Sequence, residues 1–379
     1  MAGKSVPKVK QKLDKKDLTL SLAFLLPAIL ITVIFVIYPV FDTVGLSFRK
    51  WNGMFGAAKQ WVGLENYQKI FSDKLFWNAM LNSVYFMIGG FVILMPLSFG
   101  LAMLVTAKIK GTGFFRTCYF LPNMLGTTAV VVTVMASFKT NSEIYLNLLS
   151  FPKKIMFQNY ISANKTADAL NTIKNSLVVA TLTTVFNTVV GMMAAYILSR
   201  KDYKFLKWVY VFFMIGVMVP VHCTLIPINN IATALNAKNN LFFLILIYVA
   251  FGMSQAIFLY TGFMDGISRN LDEAAIIDGC NNWQLLWKIL FPVCKPIIAT
   301  EAIFVFIYGY SELVFSMILM TDTKYFTVSR AMLNFSSAHT QEIGSQFAYV
   351  VMSVIPMLII YIVFHKQIEK GMLSGAIKG

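Results

Sequence analysis

Charge is what this chain has least of. Only 13% of its 379 residues are Asp, Glu, Lys or Arg, while 58% are apolar and 15% aromatic. A soluble domain cannot cover its surface with so few charges. Histidine is scarcer still: His222, His339 and His365 are the only three, too scattered for a metal cluster. The four cysteines, Cys118, Cys223, Cys280 and Cys294, fall at no metal or disulfide spacing and read as unpaired thiols. No GxxxxGK(S/T) phosphate loop occurs, so nucleotide hydrolysis is not expected of this chain. No cofactor is expected, and no catalytic constellation of an enzyme is present.

What the chain does have is apolar runs of about 20 residues, each able to cross roughly 30 Å of hydrocarbon. Barrel strands would be half as long and would alternate. The reading is all-α: a multi-pass helical membrane protein with eight spans, over 20–41, 78–107, 114–138, 175–199, 206–228, 241–263, 296–319 and 346–365. The net charge of +15 needs no nucleic-acid partner. A bias of Lys and Arg toward the cytoplasmic side explains it.

Six lysines precede the first span within 1–19, a basic tail that places the N-terminus in the cytoplasm. An even span count puts the C-terminus there too. Segments then assigned to the inside hold 19 Lys and Arg in 82 residues, against 13 in 109 outside. The same count puts the stretch from Asn270 to Pro292, NLDEAAIIDGCNNWQLLWKILFP, on the cytoplasmic side of a plasma-membrane protein.

That stretch is the one long polar-flanked interruption among the C-terminal spans. Asn270, with Glu273 three residues on, predicts a capped helix starting at Leu271. Leu271, Ala274 and Ala275 give it a narrow small-residue face. Gly279 supplies a left-handed stop. A second helix follows, with Trp283, Leu286, Trp287 and Leu290 on one face and Pro292 closing it. These residues resemble the EAA signature of ABC-importer permeases: Glu273, Ala274, Ala275, Asp278 and Gly279, then Ile289 and Pro292, with Phe291 in place of the usual Leu. The resemblance implies that the loop docks into a cleft on a separate ATP-hydrolysing subunit.

An internal repeat runs at an offset of 93 residues. Asn66-Tyr67 matches Asn159-Tyr160, Asn78 matches Asn171, and Asn82-Ser83 matches Asn175-Ser176. Ala102 and Lys108 match Ala195 and Lys201. The first copy has no room for an EAA loop of its own. Residues 20–125, with WVGLENYQKIF and FFRTCYFLPNML, resemble the start of the first permease subunit of a maltose-type sugar importer. Residues from 126 onward, with SFKTNSEI, AAYILSR, the 270–292 loop and GMLSGAIKG, resemble the second, its transmembrane domain falling at 171–365. The chain therefore reads as a fusion of the two.

Glu301 and Glu312 are the acids inside spans, and such groups mark functional sites by default. Glu301 lies near the cytoplasmic end of its span and reads as satisfied by interfacial water or packing. Glu312, beside Tyr308, Tyr310 and Ser311, is a candidate for the substrate path or for an interhelix hydrogen bond. Gly191, Ala194 and Ala195 are spaced for close helix approach. Trp51, Trp61, Tyr67, Tyr145 and Tyr160, in loops assigned to the outside, suit a headgroup belt or a docking protein. The resulting expectation is the membrane subunit of a carbohydrate ABC importer. Its partners would be ABC ATPase subunits, a second permease chain, an extracytoplasmic solute-binding protein, the carbohydrate and membrane lipid. An ion-coupled transporter or an inactive fusion scaffold are the alternatives.

Overall fold

The computed structural model describes residues 15–106, 129–336 and 342–376. Helix dominates them, and the sheet among them is an antiparallel hairpin that pairs Arg49 with Trp61 and Lys50 with Gln60. Six described helices are long and apolar enough to cross a membrane: Asp17–Ser47, Lys74–Met103, Ala169–Arg200, Leu241–Asp265, Lys295–Leu319 and Ile343–Ile360. The bent pair Lys204–Met218 and Val221–Ala234 makes a seventh. The expected span at 114–138 falls mostly outside the described residues, with helix seen over 129–137.

We label the long helices α1 (Lys15–Thr32), α2 (Lys74–Gly89), α3 (Ala169–Arg200), α4 (Lys204–Met218), α5 (Leu241–Asp265), α6 (Asn270–Ile277), α7 (Lys295–Ser311) and α8 (Ile343–Ala376). The expected straight span over 206–228 is corrected: the chain turns by 94° after α4. Val219 is extended there because the ring of Pro220 disfavours the helical region for the residue before it.

Contacts divide the chain into two units. The first comprises Met1–Thr43, Ser162–Gln341 and Met352–Gly379. Its core is α3 packed on α5 and α7. Lipid gives apolar helices little reason to associate, so close backbone approach carries the packing. A Cβ on Gly191 would lie 3.1 Å from the Cβ of Ala256, and one on Gly309 would lie 3.3 Å from the Cα of Ala180. Ala194 and Ala195 are fully buried beside Gly191. Helix α1 and the π-helical turn after it, Val33–Ile37, pack on the same core, with Phe24 5.8 Å from Tyr196 and Phe35 5.4 Å from Phe243. Where backbone leaves the helices, side chains satisfy it. Asn175 Nδ2 donates to the carbonyls of Lys324 (2.9 Å) and Phe326 (3.0 Å), and Val328 N–H donates to Ser176 Oγ.

The second unit comprises Val44–Ile161 and Glu342–Val351. It contains one hydrogen-bonded corner twice. In the first, Asn66 Nδ2 donates to the carbonyls of Ser47 and Arg49, and Ser47 Oγ lies 2.6 Å from the Tyr67 hydroxyl. In the second, Asn159 Nδ2 donates to the carbonyls of Ser137 and Lys139, and Ser137 Oγ lies 2.7 Å from the Tyr160 hydroxyl. Phe48 and Phe138 pack on the two tyrosines at 5.4 and 5.1 Å. The repeat read from Asn66-Tyr67 and Asn159-Tyr160 is therefore a repeat of structure. Trp61 and Tyr145 remain exposed, at 66% and 61%. The apolar helix Lys74–Met103 buries nothing in the window that qualifies it as a span.

Close α3–α5 packing makes a prediction. Gly191→Leu should cost about 2 kcal/mol by overpacking, lowering the thermal unfolding midpoint in detergent. Gly262→Leu on α5, where an added Cβ meets nothing within 4 Å, should leave it unchanged.

Candidate functional site

The 270–292 stretch forms two short helices joined at a glycine. Helix α6 ends in a left-handed turn: Gly279 has φ +83°. Its N–H donates to Ile276 O and that of Cys280 to Ala275 O at 2.9 Å, which closes the orphan carbonyls of the last turn. The start of α6 differs from expectation. Asn270 is not the cap: it lies within the helix, Arg269 precedes it, and the Asn270 N–H donates to Ser268 Oγ at 3.3 Å. Arg269 is held by Asp202 Oδ2 at 2.9 Å, which draws the helix start one residue earlier. The reciprocal cap occurs on the second helix instead, where Asn281 Oδ1 accepts from Gln284 N–H and Gln284 Oε1 accepts from Asn281 N–H. Nor does Pro292 close that helix. Leu285–Leu290 is a π-helical turn and Phe291–Val293 leads on to α7. The helical backbone runs without a break from Asn282 to Val293, so Pro292 lies within it, just after the π-helical turn.

The predicted loop residues divide between two faces. Glu273, Ala274, Asp278, Gly279 and Pro292 are exposed, Ile289 is half-buried, and Ala275 is buried. Ile276 and Ile277 are exposed at 60% and 85%. On the inner side, Leu286 and Leu290 are fully buried, and the rings of Phe24, Trp283, Trp287 and Phe291 follow one another at 5.7, 5.6 and 5.3 Å.

An ion pair missed by sequence reasoning holds α6 in place. Asp272 turns inward and its Oδ2 meets Arg200 Nε at 2.7 Å, with both side chains nearly buried. The approach lies off the N–H axis, so the bond is one of charge rather than a directed hydrogen bond. Arg200 Nη1 also donates to the Met264 carbonyl at 2.9 Å. Burial pushes the Asp272 carboxyl above the usual carboxylate range, and Arg200 pulls it back. The Tyr196 hydroxyl donates to Asn282 Oδ1 at 2.7 Å. Thus α6 and the helix after it are each tied to the end of α3. The signal in the sequence was an Arg closing one span and an Asp three residues before a buried Ala, but nothing paired them.

The candidate path residues also separate. Tyr308 lines a cavity of about 220 Å³ between α5 and α7, together with Tyr248, Gln255, Glu301 and Phe304. Glu312 is engaged elsewhere: it accepts from the N–H groups of Val314 (2.6 Å) and Phe315 (3.0 Å) and from the Tyr248 hydroxyl (2.6 Å). It caps the short helix Val314–Leu319 and bonds between helices, the second of its two readings. Tyr310 is buried, with its hydroxyl on Ser353 O at 2.8 Å. Ser311 Oγ donates to Ile307 O. Glu301 is fully buried and Oε2 accepts from Gln255 Nε2 at 3.2 Å. Among the described residues no group of His, Cys, Asp and Glu is placed to hold a metal. Cys223, Cys280 and Cys294 are free, and burial pushes the Cys294 thiol up to about 11.

Residues 187–374 match the family described as the binding-protein-dependent transport system inner membrane component. The multiple sugar-binding transport system permease protein of Streptococcus mutans is 30% identical over 66% of this chain and 91% of its own length. The chain belongs to this family of ABC-transporter permeases. The maltodextrin transport system permease protein of Streptococcus pneumoniae is 31% identical to the permease over 54% of this chain and 74% of its own. A solved chain from a bacterial ABC transporter that imports alginate shares the fold, at a TM-score of 0.58 and 20% identity, over 69% of the permease and 98% of that chain. The permease is thus a multi-pass membrane protein of all-α fold.

The anchoring pair is testable. Arg200→Met alone leaves Asp272 buried and uncompensated, which should cost about 3 kcal/mol and loosen α6. Amide exchange of residues 270–278 should rise in Arg200→Met. It should fall back in Arg200→Met combined with Asp272→Leu, which removes both charges.

Proposed function

We propose that this permease forms the translocation path of a carbohydrate importer and that separate ABC ATPase subunits drive it through the 270–292 loop. The observation that carries the reading is the outer face of α6. Glu273, Ala274, Ile276, Ile277 and Asp278 all face solvent on a helix whose root is fixed by a buried ion pair. Apolar side chains so exposed on an anchored helix suit a surface that is covered by a partner, and the EAA spacing makes that partner the ATPase. Ala275 and Ile289 support the face from behind, and Gly279 and Pro292 set its bends.

Carbohydrate is the substrate class of the relatives named for multiple sugars and maltodextrin. A second permease chain and an extracytoplasmic solute-binding protein complete the complex. ATP binding closes the ATPase subunits and displaces α6. The Arg200–Asp272 and Tyr196–Asn282 links pass that displacement to α3, rocking the spans between inward and outward access. Tyr308 belongs to the path itself, while Tyr310, Ser311 and Glu312 hold its outer end in shape. Both termini are cytoplasmic. Residues 20–125 form a partial N-terminal permease unit and 126–379 the permease core, a division that the twin corners support.

Two measurements test this. Gly279→Leu meets no neighbour within 4 Å, so its cost is the strain of the left-handed backbone, about 1–2 kcal/mol. The variant should reach the membrane in normal amount yet lose transport and release the ATPase on purification. Stoichiometric ATPase with normal stimulated hydrolysis would exclude this loop as the coupling site. For orientation, Ile277→Cys in a background lacking Cys118, Cys223, Cys280 and Cys294 should react with an impermeant thiol reagent from the cytoplasmic side alone. Labelling of intact cells would reverse the map.

A further inference from the structure

Glu301 has half of its hydrogen bonding unused. Its side chain is fully buried in α7, and Oε2 accepts from Gln255, yet Oε1 has no partner. An open carboxylate oxygen within an apolar span is costly and is retained where something uses it. It borders the cavity between α5 and α7. Gln255, across from it, is exposed. Phe304 and Tyr308 continue that rim at 52% and 36% exposure. An amide head, a carboxylate and two rings share this opening, and no Lys, Arg or His lines it. The cavity on the other side of α7, about 490 Å³ between Thr181, Val185, Ala302, Phe306 and Ile360, is nearly all apolar in its lining. A membrane-embedded face with a carboxylate behind a glutamine is not a lipid face.

We propose that this cavity is a hydroxyl-binding subsite for carbohydrate within this permease, and that it selects neutral over acidic sugars. The inference rests on the carbohydrate reading above. A sugar hydroxyl is a donor, which is what the free Oε1 lacks. Gln255 offers both a donor and an acceptor to a neighbouring hydroxyl. Phe304 and Tyr308 present ring surface to a pyranose, as apolar walls with a few aimed polar groups do in small-molecule sites. A uronate would bring a negative charge into a largely apolar cavity that holds no cation to balance it, and the cost of burying that charge unpaired is the selective element. The sugar sits between α5 and α7, reached from the face that carries Phe304, and Glu301 is a specificity-determining residue rather than a structural one.

The complete transporter, with its second permease, ATPase and solute-binding protein, would be reconstituted in proteoliposomes. One sample receives a mixture of neutral di- to tetrasaccharides, another a mixture of oligouronates, and lumenal sugar is read by mass spectrometry. Wild type should accumulate neutral sugars alone. Glu301→Gln and Gln255→Leu should each raise the half-saturating concentration about tenfold while holding the maximal rate within roughly twofold. Glu301→Lys should admit oligouronates. A merely structural role would lower the maximal rate or the membrane amount and leave half-saturation where it was. Wild-type half-saturation in both variants, or equal uptake of oligouronates by wild type, would overturn the proposal while leaving the carbohydrate reading intact. Should Glu301→Gln not reach the membrane, Gln255→Leu at the exposed rim decides. If wild type with bound ATPase takes up no sugar at all, the carbohydrate reading fails and this inference goes with it.

Discussion

The contact between Arg200 and Asp272 is the constraint on which the architecture around the 270–292 loop depends. It joins the last residue of a membrane-spanning helix to the first turn of α6, and the same guanidinium holds the Met264 carbonyl at the end of α5. Three helices therefore meet at one cation. Charges buried this far interact strongly because little water screens them. The neighbouring links, Tyr196 to Asn282 and Arg269 to Asp202, fix the remaining freedom of the loop. A helix pair held at several points moves as a lever, not as a flap.

Within the spans a different economy operates. Helices approach through Gly191, Ala194, Ala195 and Gly309, and polar side chains appear where backbone would otherwise go unpaired. Glu312 caps the break between α7 and the Val314–Leu319 helix, and Asn175 closes the carbonyls near Phe326. Glu301 Oε1 departs from that background, as do Thr183 Oγ1 and Asn187 Oδ1: each is buried and closes nothing.

Much of this was legible in the sequence. Gly279 announced a positive φ because glycine takes that conformation without a Cβ clash, and Asn66-Tyr67 with Asn159-Tyr160 announced twin corners. Six of the eight span positions followed from hydropathy; the bend within 206–228 did not, and 114–138 lies mostly outside the described residues. What was not legible depends on how helices are rotated against one another. Asn270 and Glu273 looked like a cap, but Arg269 is pulled to Asp202 and shifts the start of α6. Asp272 finds its partner, Arg200, 72 residues earlier in the chain, on α3. Gln255 and Glu301 lie on separate helices, and only the tight packing of α5 and α7 on α3 sets them opposite each other. Glu312 looked free for substrate because its backbone clients come after it in the chain, across a break that hydropathy does not reveal.

The twin corners have a consequence for how the chain is made. Their hydrogen bonds join residues 17 to 20 apart in the first copy, and 20 to 23 apart in the second. Such contacts close quickly because little loop entropy opposes them. Each can form while the ribosome is still adding the next span. The Arg200 anchor must wait for Met264, 64 residues on, and the Asn175 clasp for Phe326, 151 residues on. Sequence separation thus sets the corners apart from the α3 bundle: the corners need only neighbouring residues, while the bundle closes on the last third of the chain. Until then Asn175 and Arg200 on α3 lack the backbone carbonyls that they hold in the finished fold.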